Sequence, residues 1–216
     1  MFLFAPNLIG YVRIILLLAA FYYANRDPVL FMTLFGLSFG LDVLDGPVAR
    51  ALGQSTRFGA ALDLLTDKFS GPGLFCILTS MYTEYAAALT LLLMLDAASH
   101  WFHMQATLLR GATSHKNIDP SVNVVVRTFY GHKGFFAWTC LGHEIFLCLL
   151  YLRWWALNGS ATLAPFADHF RWAAATFFPS FVTKSFVHVC QLISACEGIA
   201  KLDAERLTRE RGKANK

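Results

Sequence analysis

Six apolar stretches, near residues 8–24, 28–49, 58–81, 85–109, 133–157 and 172–199, each approach the length of a bilayer-crossing helix. They constrain the fold more than anything else in the chain. The expectation is an all-α integral membrane protein, a bundle of six transmembrane helices. One catalytic domain would cover residues 1–200, and residues 201–216 would form a short basic tail, helical or frayed. Composition agrees, since 56% of the 216 residues are hydrophobic and only 15% charged, too apolar for a soluble domain of this length.

Several classes of protein drop out at once. The five cysteines (76, 140, 148, 190 and 196) are scattered through apolar runs without CxxC pairs, and read as buried free thiols with no disulfide frame. A formal charge of +4 gives no support to nucleic-acid binding, because the basic residues gather at particular helix ends. The first residues lack a basic region and a small-residue cleavage site, so the first segment reads as a retained helix. Pro28 opens the second helix where proline is tolerated, and Gly71-Pro72-Gly73 inside the third predicts a kink.

Basic residues orient the bundle. Arg50 and Arg57 follow helix two; Arg110, Lys116, Arg127 and Lys133 lie between helices four and five; Lys201, Arg206, Arg209, Arg211, Lys213 and Lys216 follow helix six. All fall on one side, against Arg26, Arg153 and Arg171 on the other. Both termini are expected in the cytosol, and the Asn158-Gly159-Ser160 sequon falls on the lumenal side.

Four carboxylates interrupt this apolar background. Asp42 and Asp45 stand three apart in the second segment, and Asp63 and Asp67 four apart in the third, so each pair shares one helix face. If the polar turn Gly53-Gln54-Ser55-Thr56 joins two antiparallel helices, Asp45 lies level with Asp63 and Asp42 with Asp67. At about 1.5 Å of rise per residue the acids sit roughly 12 to 14 Å from the cytosolic helix ends, near the headgroup boundary. A purely structural cluster is disfavoured by like-charge repulsion at low dielectric, so cations must compensate it. An oxygen-only ligand set suits Mg²⁺ or Mn²⁺, and two such ions are a common clamp for phosphoryl transfer. Gly46 and Ala49 leave room beside the acids, and Arg50 offers a fork of donors for phosphate oxygens.

These residues spell Asp-x2-Asp-Gly-x2-Ala-Arg-x8-Gly-x3-Asp-x3-Asp from Asp42 to Asp67, a pattern that resembles the signature of the CDP-alcohol phosphotransferase family. The resemblance implies two metal ions held by Asp42, Asp45, Asp63 and Asp67, a CDP-linked substrate held by Gly46 and Arg50, and Asp67 as general base. Residues 6–13, 55–67, 98–103, 108–116 and 142–152 are similar to the eukaryotic phosphatidylinositol synthase branch of that family. Departures are Lys68, where the branch has arginine, and Pro47-Val48, where it has His-Ala. The branch implies a contact from Thr56 to CDP-diacylglycerol, transfer of its phosphatidyl group to myo-inositol with release of CMP, a homodimer and an endoplasmic reticulum membrane. Two alternatives stay open on the residues: the same chemistry with another acceptor (glycerol phosphate, or choline or ethanolamine type), and a divalent-cation transporter.

Two polar stripes complete the sequence. Asp96, His100, His103, Thr107 and Arg110 follow one another at steps of 4, 3, 4 and 3 along the fourth helix. Polar groups in a membrane face the interior, so Asp96, His100, His103 and Arg110 are candidates for the catalytic cavity on the inositol side, with a structural hydrogen-bond seam as the alternative. A zinc site made by His100 and His103 is disfavoured, since their spacing lacks an HExxH context. Lys184, His188 and Gln191 form a shorter stripe, with Lys184 placed either to reach a phosphate or to pair with a carboxylate.

Overall fold

The computed structural model describes residues 1–109 and 123–214, and those residues are helical with no strand among them. In chain order the helices are α1 Ala5–Tyr23, α2 Pro28–Ala51, α3 Arg57–Met81, α4 Ala86–Leu109, α5 Val124–Gly131, α6 Lys133–Asn158 and α7 Ala167–Ala214. Six of them match the six apolar segments. The seventh, α5, was not anticipated: at eight residues it is too short to register as a period in the hydropathy.

Helix boundaries follow local chemistry. Asp27 caps α2 by accepting from the backbone N–H groups of Val29 and Leu30, with Pro28 in the first turn where its missing donor costs nothing. The α2–α3 turn needs a left-handed residue, and Gly53 supplies it at φ +63°. Thr56 then caps α3 by accepting from the Gly59 N–H at 3.0 Å. Helix α3 runs through Gly71-Pro72-Gly73 without a break. Helix α7 continues through residues 201–214, so the basic tail extends a long helix rather than forming a separate short one.

Four helical segments, Ala5–Tyr23, Pro28–Ala51, Thr83–Leu109 and Lys133–Asn158, are long and apolar enough to cross a membrane by length and composition. Helices α3 and α7 are long enough but more polar: α3 carries Arg57, Asp63, Asp67 and Lys68, and α7 carries Asp168, His169, Arg171, Lys184, His188 and a charged last third. Large apolar side chains also cover the surface. Ile15, Leu18, Leu91, Met94, Trp101 and Trp172 are each more than 60% exposed, while Asn7, Arg13, Ser38, Ser99 and Gln191 are buried. Exposed apolar area on this scale suits lipid rather than water. This is a multi-pass membrane protein.

The chain divides into two compact units, one of residues Met1–Ala87 with Leu147–Arg171, the other of residues 88–146 with 172 onward. In the first, α1 packs on both α2 and α3. Its core is Phe31, Phe35, Leu74, Phe75 and Leu78, closed by Tyr151, whose hydroxyl donates to the Ala24 carbonyl at 2.7 Å and whose ring lies 4.4 Å from that of Phe31. The approach of α1 to α3 is close enough that a Cβ on Gly73 would run into the Phe21 ring. In the second unit, Phe146 packs on Phe178 and Phe181, and Val126, Phe129 and Val187 are buried.

None of the five cysteines is in a disulfide, but only Cys190 is buried; Cys76 and Cys196 are exposed and the other two intermediate. The expectation of burial is corrected for these four. Apolar context does not mean interior in a membrane protein, because helix faces turned to lipid are as apolar as the core.

Candidate active site

Helices α1, α2 and α3 bring the acids together around a residue that the spacing alone did not single out. The Arg13 guanidinium, 3% exposed, lies among all four carboxylates. Its Nη1 meets Asp45 at 2.7 Å and Asp63 at 3.1 Å; its Nη2 meets Asp42 at 2.5 Å and Asp67 at 2.9 Å. Each nitrogen thus joins one acid of α2 to one of α3, in the same level pairs that the antiparallel arrangement predicted. Ser38 fixes the backbone there by donating to the Arg13 carbonyl. One arginine in the middle of an apolar first helix was the signal for it, since a charge there needs partners.

One positive charge among four negative ones leaves an excess of −3 (+1 − 4), in a group whose acidic side chains are between 14% and 47% exposed. Asp42, Asp63 and Asp67 each place one oxygen within 4.8 Å of the others, close enough for all three to contact one divalent ion. Asp45 joins them through Arg13. Hard, anionic, oxygen-only donors with uncompensated charge fit Mg²⁺ or Mn²⁺.

Beside the acids a cleft of about 180 Å³ opens to solvent. Asp45 and Asp63 line it as well as belonging to the acidic centre. Gly46, Arg50 and Thr56, the three residues expected to hold substrate, all lie on its wall. Arg50 folds back over Gly46, whose bare Cα makes the room: a Cβ there would stand 3.3 Å from an Arg50 nitrogen. Thr56 spends its oxygen on capping α3, so its role in the cleft includes holding the wall itself. Gln54 ties the rim to α1 by accepting from the Ala5 N–H at 3.0 Å.

The fourth-helix stripe forms a different group, in the second unit. His100 Nδ1 lies 2.8 Å from Asp96 Oδ1, and His188 Nε2 of α7 lies 3.5 Å from the same oxygen. The potential ligand atoms of these three residues also fall within 4.8 Å of one another. His103 stands apart from them, stacked on Tyr130 at 5.8 Å, so the two histidines of α4 do not converge on one point. Arg110 lies outside the described residues. Among the described residues no carboxylate lies within ion-pair distance of Lys184; its Nζ donates to Cys140 Sγ at 3.1 Å and lies 5.2 Å from the Phe129 ring centre. Gln191 donates to the Tyr130 hydroxyl.

Comparison with known proteins bears on the same residues. The sequence profile of the CDP-alcohol phosphatidyltransferase family matches residues 3–166, which takes in the acids and the cleft. The chain is 41% identical over 206 residues to a CDP-diacylglycerol–inositol 3-phosphatidyltransferase of Homo sapiens, covering 94% of each. It is 35% identical to the enzyme of that name from Saccharomyces cerevisiae, covering 94% of this chain and 88% of the relative. A relative from Arabidopsis thaliana with the same activity in its name is 38% identical over 151 residues, 70% of this chain and 66% of that one. No solved structure matches the chain. With the motif, the acidic centre and the profile falling on one set of helices, the protein belongs to the CDP-alcohol phosphatidyltransferase family.

Proposed function

We propose that this protein transfers the phosphatidyl group of CDP-diacylglycerol to myo-inositol, giving phosphatidylinositol and CMP. The observation that carries the chemistry is the sharing of Asp45 and Asp63 between a charge-deficient acidic centre and a cleft walled by Gly46, Arg50 and Thr56. A nucleotide in the cleft would have its phosphates beside the acids. Inositol as acceptor rests on near-full-length likeness to relatives named for that alcohol.

Asp42, Asp45, Asp63 and Asp67 would hold two Mg²⁺ or Mn²⁺ ions, which supply positive charge for the diphosphate and for the departing CMP. Arg50 binds phosphate oxygens and orients the CDP part. Asp67, its side chain 47% exposed, accepts the proton of an inositol hydroxyl. That oxygen forms its bond to the lipid-side phosphorus as the bond to the CMP oxygen breaks in line. Asp96, His100 and His103 are assigned to the inositol side. The wider frame is a six-span catalytic domain at 1–200, acting as a homodimer in the endoplasmic reticulum membrane with termini and acids toward the cytosol.

The test is CMP release from CDP-diacylglycerol by the purified protein, with acceptor and metal varied. Release that requires both free inositol and Mg²⁺ or Mn²⁺ is expected. Release with glycerol phosphate in place of inositol would move the protein to another acceptor. Divalent-cation uptake into vesicles without CMP release would replace the enzyme by a transporter.

A further inference from the structure

Tyr130 is the penultimate residue of α5, and its neighbours hold the ring in place. Phe129 meets it edge-on with ring centres 4.9 Å apart, and Phe136 lies tilted against it at 5.8 Å. Gln191 of α7, 1% exposed, donates from Nε2 to the Tyr130 hydroxyl at 3.2 Å. On the ring so held stacks His103 of α4, its centre 5.8 Å away and its plane within 9° of parallel. Burial pushes the Tyr130 hydroxyl up to about 12, so the phenol is uncharged at neutral pH. What it gives the imidazole is a fixed surface rather than a charge.

The plane of an imidazole decides what it can bind. Both ring nitrogens donate or accept within that plane, so turning the ring swings both hydrogen-bond directions together. A histidine on a helix face turns about two torsions, and a parallel ring beside it confines both. His103 is half-buried, which leaves it open to a ligand. A cyclic polyol carries hydroxyl groups that each give and take hydrogen bonds, and direction is what tells one from the next. We infer that Tyr130 is a positioning residue for inositol: its ring sets the plane of His103, and so the directions in which that imidazole meets inositol hydroxyls, while Gln191 anchors the phenol. The inference rests on the reading of His103 as an inositol-side residue and adds what orients it.

The experiment follows steady-state CMP release by the full chain in nanodiscs, with Mg²⁺ present and inositol and CDP-diacylglycerol varied in turn. It compares wild type, Tyr130→Leu, Tyr130→Phe, His103→Ala and the double variant of Tyr130→Leu with His103→Ala. Tyr130→Leu removes the stacking face and should raise the KM for inositol about three- to tenfold. Its kcat and its KM for CDP-diacylglycerol should stay within about twofold, which also reports that the variant is folded. Tyr130→Phe keeps the face and should bring the inositol KM back to within about twofold of wild type. His103→Ala should raise that KM further, and adding Tyr130→Leu to it should change nothing more, because no imidazole is left to position. Tyr130→Met fills the same space without a ring and replaces Tyr130→Leu in every arm if that variant does not fold. Additive losses in the double variant overturn the inference, as does a fall in kcat with a rise in both KM values together. So does an unchanged inositol KM in the ringless variant when His103→Ala is impaired. Failure of the underlying reading looks different: His103→Ala would itself leave the inositol KM at its wild-type value, which takes His103 off the inositol side and the inference with it.

Discussion

The acidic centre of the first unit and the Asp96 group of the second are both polar clusters in apolar helices, yet they solve their charge problem in opposite ways. Around Arg13 the count is four carboxylates to one cation, and Asp63 and Asp67 keep their side chains 43% and 47% exposed. Around Asp96 one carboxylate meets two imidazoles, with the acid 10% exposed and His188 5%. Excess charge on open side chains asks for cations from outside. A carboxylate faced by two imidazoles has partners for its charge within the protein. Proximity of ligand atoms alone would have grouped the two sites together; charge and donor type separate them.

The largest effect expected from this contrast falls on Asp67. Asp67→Asn keeps the size and one oxygen but removes the base, and turnover should drop roughly 10²–10⁴-fold. CMP binding, measured alongside, should fall far less than turnover, because three of the four ion-holding acids and the cleft walls remain. Full turnover by Asp67→Asn would remove the general-base role.

Next in size is Arg13. Arg13→Gln leaves four carboxylates without their buried cation. Losing one partner of a buried ion pair costs about 3–5 kcal/mol, and partial exposure of these acids puts the metal-free loss at the lower end. Mg²⁺ or Mn²⁺ should restore most of it, since ions that bind only the folded state stabilise it by mass action. Thermal unfolding in detergent with and without EDTA reads both values. An Arg13→Gln melting temperature equally depressed with and without metal would show that the acids do not hold ions together.

How far the sequence reached follows the same division. Spacing of the four aspartates and length of the apolar runs are local quantities, and they located the helices, the acidic faces and their level pairing. Arg13 meets its acids across 29 (42 − 13) to 54 residues of chain, and no local period marks such contacts. Even so, a charge in the middle of an apolar helix was a visible sign that partners would be needed. The stripe on α4 was legible as a stripe, but not that His100 would meet His188 from α7 while His103 turned to Tyr130. Periodicity gives a shared face, and the facing helix decides who is met there.

Asp96→Asn sharpens the second half of the contrast. It keeps the shape and removes the charge that both imidazoles face. The cost should be about 1–3 kcal/mol, the range for disturbing a buried hydrogen-bonded group. Unlike the Arg13 loss, it should not be recovered by Mg²⁺ or Mn²⁺. Steady-state kinetics should show a higher KM for inositol with a smaller change in kcat, the pattern of lost substrate binding. Recovery by Mg²⁺ would mean that this group, too, is a cation site of the first kind.

The smallest effect belongs to Lys184, the basic residue that stripe-reading placed within possible reach of a phosphate. Its amine donates to the Cys140 thiol, a weak acceptor, and lies over the Phe129 ring, contacts worth at most about 1 kcal/mol together. Lys184→Met preserves the apolar stem and gives up only those contacts. Turnover should stay within about twofold, and the melting temperature should shift by a few degrees at most. If Lys184→Met instead loses activity as Asp67→Asn does, the lysine leaves Cys140 to reach substrate. The second unit would then supply a charge that the chemistry needs, and the division between a cation-seeking cluster and a self-balanced one would no longer describe this enzyme.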